Sequence, residues 1–143
     1  MKSLKSLIRL HRWQLDEKRR ALVELETLRE RLEGEIQRLD DEVAAERQAA
    51  EESPAERLGF GAYIRNALKR RDRLRQSVQQ VEEQIAAVRQ EIAEAFQDLK
   101  KFELAQEERD RRAAMRRRRV DALAMDEVAL TGYQRKRSPS SED

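Results

Sequence analysis

The sequence predicts an all-α fold: a long antiparallel two-helix coiled-coil hairpin, left-handed, with the second helix the longer. Composition, a sustained heptad repeat and one central break predict it. Of the 143 residues, 42% are charged and 38% apolar, with 4 glycines, 2 prolines and 4% aromatics. That balance is too polar for a thick globular core and suits long helices that bury one narrow apolar seam. Strands are not expected.

The first helix is expected over about 3–52. With Ile8 at heptad position a, the a series reads Ile8, Leu15, Leu22, Arg29, Ile36, Val43, Ala50, and the d series Leu4, His11, Lys18, Leu25, Leu32, Leu39, Glu46. The second tract has a positions Ile64, Arg71, Val78, Ile85, Ile92, Leu99 and d positions Ala67, Leu74, Val81, Val88, Ala95, Phe102. A period of 3.5 held this long marks a left-handed coiled coil rather than two ordinary surface helices.

Between the tracts, Pro54 pushes Ser53 out of helical geometry, and Gly59 and Gly61 lower the helix propensity of the residues after it. The tip is therefore expected over 53–61, with the second helix over about 62–131. Ser53, Pro54 and Glu56 also read as N-cap, N1 and N3 of a capping box, so a helical turn starts within the connection. A connection this short makes the helices antiparallel neighbours. The hairpin is expected to form one domain over 1–134, followed by a disordered basic and serine-rich tail over 135–143.

Antiparallel pairing sets a against d, which permits partner numbers summing to 110 or to 117. The 117 register pairs Glu46 with Arg71 and His11 with Gln106, and sets Leu32 against Ile85. The 110 register places Leu32 against Val78 and every polar seam residue against an aliphatic one. Polar matching selects 117, with Lys18 and Arg29 reaching out of the seam. In that register everything from about Arg117 lacks a partner in the first helix. Apolar spacing continues there through Val120, Leu123, Ala124, Val128 and Leu130 to an expected stop at Thr131-Gly132.

Chemistry is sparse along the chain. No cysteine is present, so disulfides and thiolate catalysis are excluded and a reducing compartment fits. The apolar stretch within 1–10 is too short for a signal peptide and carries Lys5 and Arg9, and no run is long enough to span a membrane. A cytoplasmic location is expected. His11 is the single histidine and falls in the seam series, which favours packing over metal binding. Carboxylates recurring at helical spacing are solvated flanks rather than an acid–base pair. Gly59-Phe60-Gly61 lacks the lysine, hydroxyl and preceding strand of a phosphate loop. No catalytic residue, cofactor or metal site is expected, and the chain reads as no enzyme.

Two surfaces stand out as candidates for binding. At the tip, Phe60 and Tyr63 lie one turn apart beside Ile64 and Ala67, with packing over the loop as the alternative to partner contact. Near the C-terminus, the net charge of +2 hides an uneven layout. Arg109, Arg111, Arg112, Arg116, Arg117, Arg118 and Arg119 share a short stretch with one acid, Asp110. They suit an acidic protein surface, solvated charge, or the phosphates of nucleic acid or lipid, although no interleaved aromatics support base stacking. Trp13 lies off the seam, as a flank or a contact.

Three stretches give a family resemblance. Leu7 to Arg19 reads as apolar pairs, a basic turn and an acidic-basic segment; Phe60, Tyr63, Ile64 and Ala67 open the second helix; Met125-Asp126-Glu127-Val128-Ala129 precedes a basic tail. In order and spacing the sequence resembles the FliJ family of the bacterial flagellar type III export apparatus, with Ala67 where a larger residue is common. The resemblance implies a cytoplasmic component peripheral to the export apparatus at the inner membrane, similar to the rotor stalk of rotary ATPases. Its implied partners are the hexameric export ATPase, the membrane export gate and export chaperones. The tip residues are then the gate contact, and Arg109, Arg112, Arg116, Arg117, Arg118, Arg119, Met125 and Asp126 the contact with the ATPase ring. A non-flagellar type III stalk, a generic coiled-coil adaptor and a basic nucleic-acid binder stand as alternatives.

Overall fold

A computed structural model describes residues 3–137, and the described residues form two helices, α1 (Leu4–Glu52) and α2 (Pro54–Arg137). The fold is the all-α helical hairpin that the heptads predict, with α2 the longer helix. By its internal contacts the chain divides into two units, one from Leu10 to Asp98 and one that joins the first nine residues to Leu99 and beyond.

Each helix end has a local cause. Ser3 caps α1: its hydroxyl accepts from the Ser6 amide at 3.2 Å and its carbonyl from the Leu7 amide at 3.1 Å. Ser53 serves both helices, since its amide donates to the Ala49 carbonyl at 3.0 Å and its carbonyl accepts from the Arg57 amide at 3.2 Å. Pro54 then occupies the first position of α2, where its missing amide hydrogen costs nothing. Glu56 lies in that first turn, at the positive end of the helix dipole.

The connection is thus Ser53 alone and not a tip over 53–61, and α2 starts at Pro54 rather than near 62. Glycine lowers helix propensity by only about 1 kcal/mol, and Gly59 and Gly61 keep helical backbone with no positive φ, so the favourable start at Ser53-Pro54 prevails. For the same reason α2 passes through the expected stop at Gly132. Arg135, Lys136 and Arg137 fill the last turn, where positive charge complements the dipole. The expected disordered tail therefore begins inside α2, and its part over 138–143 lies outside the described residues.

Within the Leu10–Asp98 unit the helices run antiparallel in the 110 register, not the 117 register. Leu39, Asp40, Val43 and Arg47 line one groove with Ile64, Ala67, Leu68 and Arg71. Arg71 Nη1 donates to Asp40 Oδ1 at 3.2 Å, and Lys18 Nζ to Glu91 Oε2 at 3.3 Å. Arg71 therefore pairs with Asp40 and not with Glu46. The reason is reach: Arg71 sits in the seam opposite Leu39 and its long side chain extends to the flanking carboxylate next door, so no polar residue is needed across the seam. Arg71 Nε stays buried without a hydrogen bond in this arrangement. Arg89 and Glu26 close a further interhelical pair at 3.3 Å.

Leu15, Leu39, Ala50, Ala67, Val81 and Ile85 form the buried seam of this unit, all at predicted a or d positions. Ile8 and Leu99 are buried in the other unit. There α1 contributes only residues 4–9, set with α2 from Leu99 onward, and every residue from Met115 to Thr131 is exposed.

A Cβ added at Gly59 or Gly61 meets no atom within 4 Å. Gly59→Ala with Gly61→Ala is expected to raise stability by about 1 to 2 kcal/mol, read as a higher melting temperature by circular dichroism. Destabilisation by the pair would show that the start of α2 is not helical.

Candidate protein-binding surfaces

The connection is held from the α2 side. Four carbonyls at the end of a helix lack intrahelical donors, and the last turn of α1 contains no basic residue to complement its negative end. Arg57, one turn into α2, supplies both needs: its Nε donates to the Ala50 carbonyl at 3.0 Å and its Nη2 to the Glu51 carbonyl at 3.3 Å. The guanidinium fork can serve two carbonyls at once, which an ammonium cannot do in the same planar way.

Just beyond this clamp lie the predicted tip residues. Phe60 and Tyr63 stack in a tilted pair with ring centroids 6.4 Å apart, and Phe60 lines a shallow groove with Arg47, Ala50, Glu51 and Arg57. Phe60, Tyr63 and Ile64 are each half-buried, whereas Ala67 is 6% exposed and faces α1. Desolvation raises the Tyr63 phenol above its ordinary pKa, with the charges of Glu42 and Glu46 adding to the shift and Arg70 opposing it. Tyr63 is therefore a neutral hydroxyl at neutral pH. The most exposed large apolar side chain at this end is Leu58, at 90%, which heptad spacing does not single out. It falls outside both heptad series, one residue before Gly59, and its position in the first turns of α2 becomes visible only once that helix is known to start at Pro54.

In the other unit, Arg109, Arg112, Arg116, Arg117, Arg118, Arg119, Met125 and Asp126 are all exposed. The arginine cluster is not uniformly unpaired. Glu108 accepts from Arg111 at 2.7 Å and from Arg112 at 3.1 Å. The hydrogen bond from Arg111 holds the Glu108 carboxyl below its ordinary pKa, helped by the charges of both arginines. Arg116, Arg117, Arg118 and Arg119 make no ion pair among the described residues and set four adjacent positive charges in this unit. Beyond them Val120, Leu123, Met125, Val128, Leu130 and Tyr133 are exposed by 57 to 70%. Arg137 lies over the Tyr133 ring at 5.6 Å, one turn further along the helix. Trp13, on α1, is also exposed.

Among the described residues no three His, Cys, Asp or Glu side chains gather to hold a metal ion, and no helix is long and apolar enough to cross a membrane. The described residues form a two-helix hairpin with exposed aliphatic and arginine side chains and a half-buried aromatic pair, features that in general suit binding to other macromolecules. A family model described as "FliJ: Flagellar FliJ protein" matches residues 1–138, and the chain belongs to that family, a family of non-enzymatic flagellar export components. No curated protein matches the chain, and no solved structure does.

Arg57→Ala removes both donors from the end of α1 and is expected to lower stability by about 1 to 2 kcal/mol in urea unfolding. Arg57→Lys should recover part of the loss, since it restores charge but not the fork. If Arg57→Ala unfolds at the parent's urea midpoint, the clamp contributes nothing.

Proposed function

We propose that this protein serves flagellar type III export as a stalk: the α2 extension engages the ring of the export ATPase, and the Phe60–Tyr63 tip engages the membrane export gate. Hydrolysis belongs to the ring. The observation that carries the reading is the exposure of every residue from Met115 to Thr131, a helical length with no α1 segment to cover it that opens with four adjacent arginines. An α-helix with side chains is about 10 to 12 Å across, narrow enough to enter a ring's central pore, and the arginines suit an acidic lining. At the tip, Phe60, Tyr63, Ile64 and Leu58 supply the contact surface, while Ala67 acts by packing on α1. Export chaperones fit the same exposed faces as further partners.

Association with the purified ATPase ring tests the first half. Replacing Arg116, Arg117, Arg118 and Arg119 by Gln keeps good helix formers and removes four charges, so binding should drop by at least about tenfold with helical content unchanged. Parent binding should weaken as salt shortens the Debye length below about 8 to 10 Å. Duplex DNA run beside the ring separates partner chemistry: loss of DNA binding alone would favour a nucleic-acid role. Retained ring binding by the quadruple variant would refute the assignment. Tyr63→Ala should weaken gate binding while leaving ring binding intact, and unchanged gate binding would return the aromatic pair to packing.

A further inference from the structure

The exposed end of α2 carries its own complement. The heptad register of the second tract continues past Phe102, with a positions at Ala113, Val120 and Glu127 and d positions at Arg116, Leu123 and Leu130. These six lie on one face of the helix. Val120, Leu123 and Leu130 are 65%, 65% and 58% exposed, and Arg116 and Glu127 are exposed too. Arg116, Arg119, Asp126 and Glu127 have no ion pair among the described residues.

From this geometry we infer that the α2 extension pairs with the same segment of a second copy of this chain, antiparallel and about a two-fold axis between Asp121 and Ala122. One a-against-d register satisfies every position. Val120 then faces the partner's Leu123, Ala113 faces the partner's Leu130, and Arg116 faces the partner's Glu127, each contact occurring twice by symmetry. The flanking g positions agree, because Arg119 falls beside the partner's Asp126. Slipping the pairing by one heptad either way breaks this match. In one direction Arg116 meets the partner's Val120; in the other Glu127 meets the partner's Leu123. Charge complementarity therefore specifies both the occupant and the register.

The segment from Ala113 to Leu130 spans about 27 Å at roughly 1.5 Å per residue, a short interface that forms a reversible dimer rather than an obligate one. The pairing covers the face assigned above to the ATPase ring, so the dimer and the ring-bound form exclude each other. The pairing itself does not depend on that assignment, and it is tested on the chain alone.

Sedimentation velocity of the full chain over a concentration series reads the dimer. Arg116→Glu sets like charges against the partner's Glu127 twice per dimer, and Glu127→Arg does the converse at the same two places. Each variant alone should dimerise at least about tenfold more weakly than the parent, with unchanged circular dichroism. The two single variants mixed in equal amounts should associate again, because each supplies the charge the other lacks, and the double variant should self-associate like the parent. A parent that stays monomeric to millimolar concentration would overturn the proposal and leave this face to the ring. A dimer insensitive to either single change, or a mixture that fails to recover, would overturn it as well by showing that any self-association uses another surface or register.

Discussion

The structure depends on a one-residue connection. Ser53 closes α1 through its amide and opens α2 through its carbonyl, so no slack remains between the helices. Arg57 then reaches back to the last carbonyls of α1 and pins the first turns of α2 against them. Once those turns are fixed, each later residue of α2 within the Leu10–Asp98 unit meets α1 at a set level. Asp40 meets Arg71 and Lys18 meets Glu91 as consequences. A residue added to or lost from the connection would move the pairing of that whole unit, which is why so small an element decides so much.

The energetics of this design are uneven along the chain. In the Leu10–Asp98 unit, aliphatic residues at 3.5-residue spacing form a buried or half-buried seam, and flanking ion pairs at 3.2 to 3.3 Å, none of them fully buried, add orientation more than stability. In the unit that contains the end of α2, the helix from Met115 to Thr131 has no burial of its own to stabilise it. Its local support comes from helix-forming Ala, Leu, Met and Arg residues, and beyond it Arg137 lies over the Tyr133 ring one turn away. Aliphatic side chains left in water along one stretch are the general mark of an interaction surface. The chain's family belongs to flagellar export.

Much of the architecture was legible in the sequence, and the failures have specific physical causes. Heptad spacing identified both helices and the seam residues Leu15, Leu39, Val81 and Ile85, because burial on one stripe leaves a periodic trace in the residues themselves. Ser53-Pro54 marked the break for the same kind of reason, a local backbone constraint. The register was not legible, since two choices one heptad apart bury nearly the same aliphatic residues. Matching Glu46 to Arg71 favoured the wrong one, because it ignored that an arginine in the seam can reach a flanking carboxylate such as Asp40. The glycines misled in the same direction: Gly59, Gly61 and Gly132 lower helix propensity, but without a positive φ none of them ends a helix. Of the candidate surfaces, the arginine run and the aromatic pair were visible from composition. The burial of Ala67 and the exposure of Leu58 required the register and the true start of α2.

Oxidative crosslinking of paired cysteines measures that register most directly. Cysteines replacing Leu32 and Val78 should form an intrachain disulfide rapidly and in high yield, while cysteines replacing Leu32 and Ile85 should form it poorly, since a heptad of offset separates them by about 10 Å along the helices. The reverse preference would contradict the one-residue connection, the clamp at Arg57 and the pairing of Arg71 with Asp40 together.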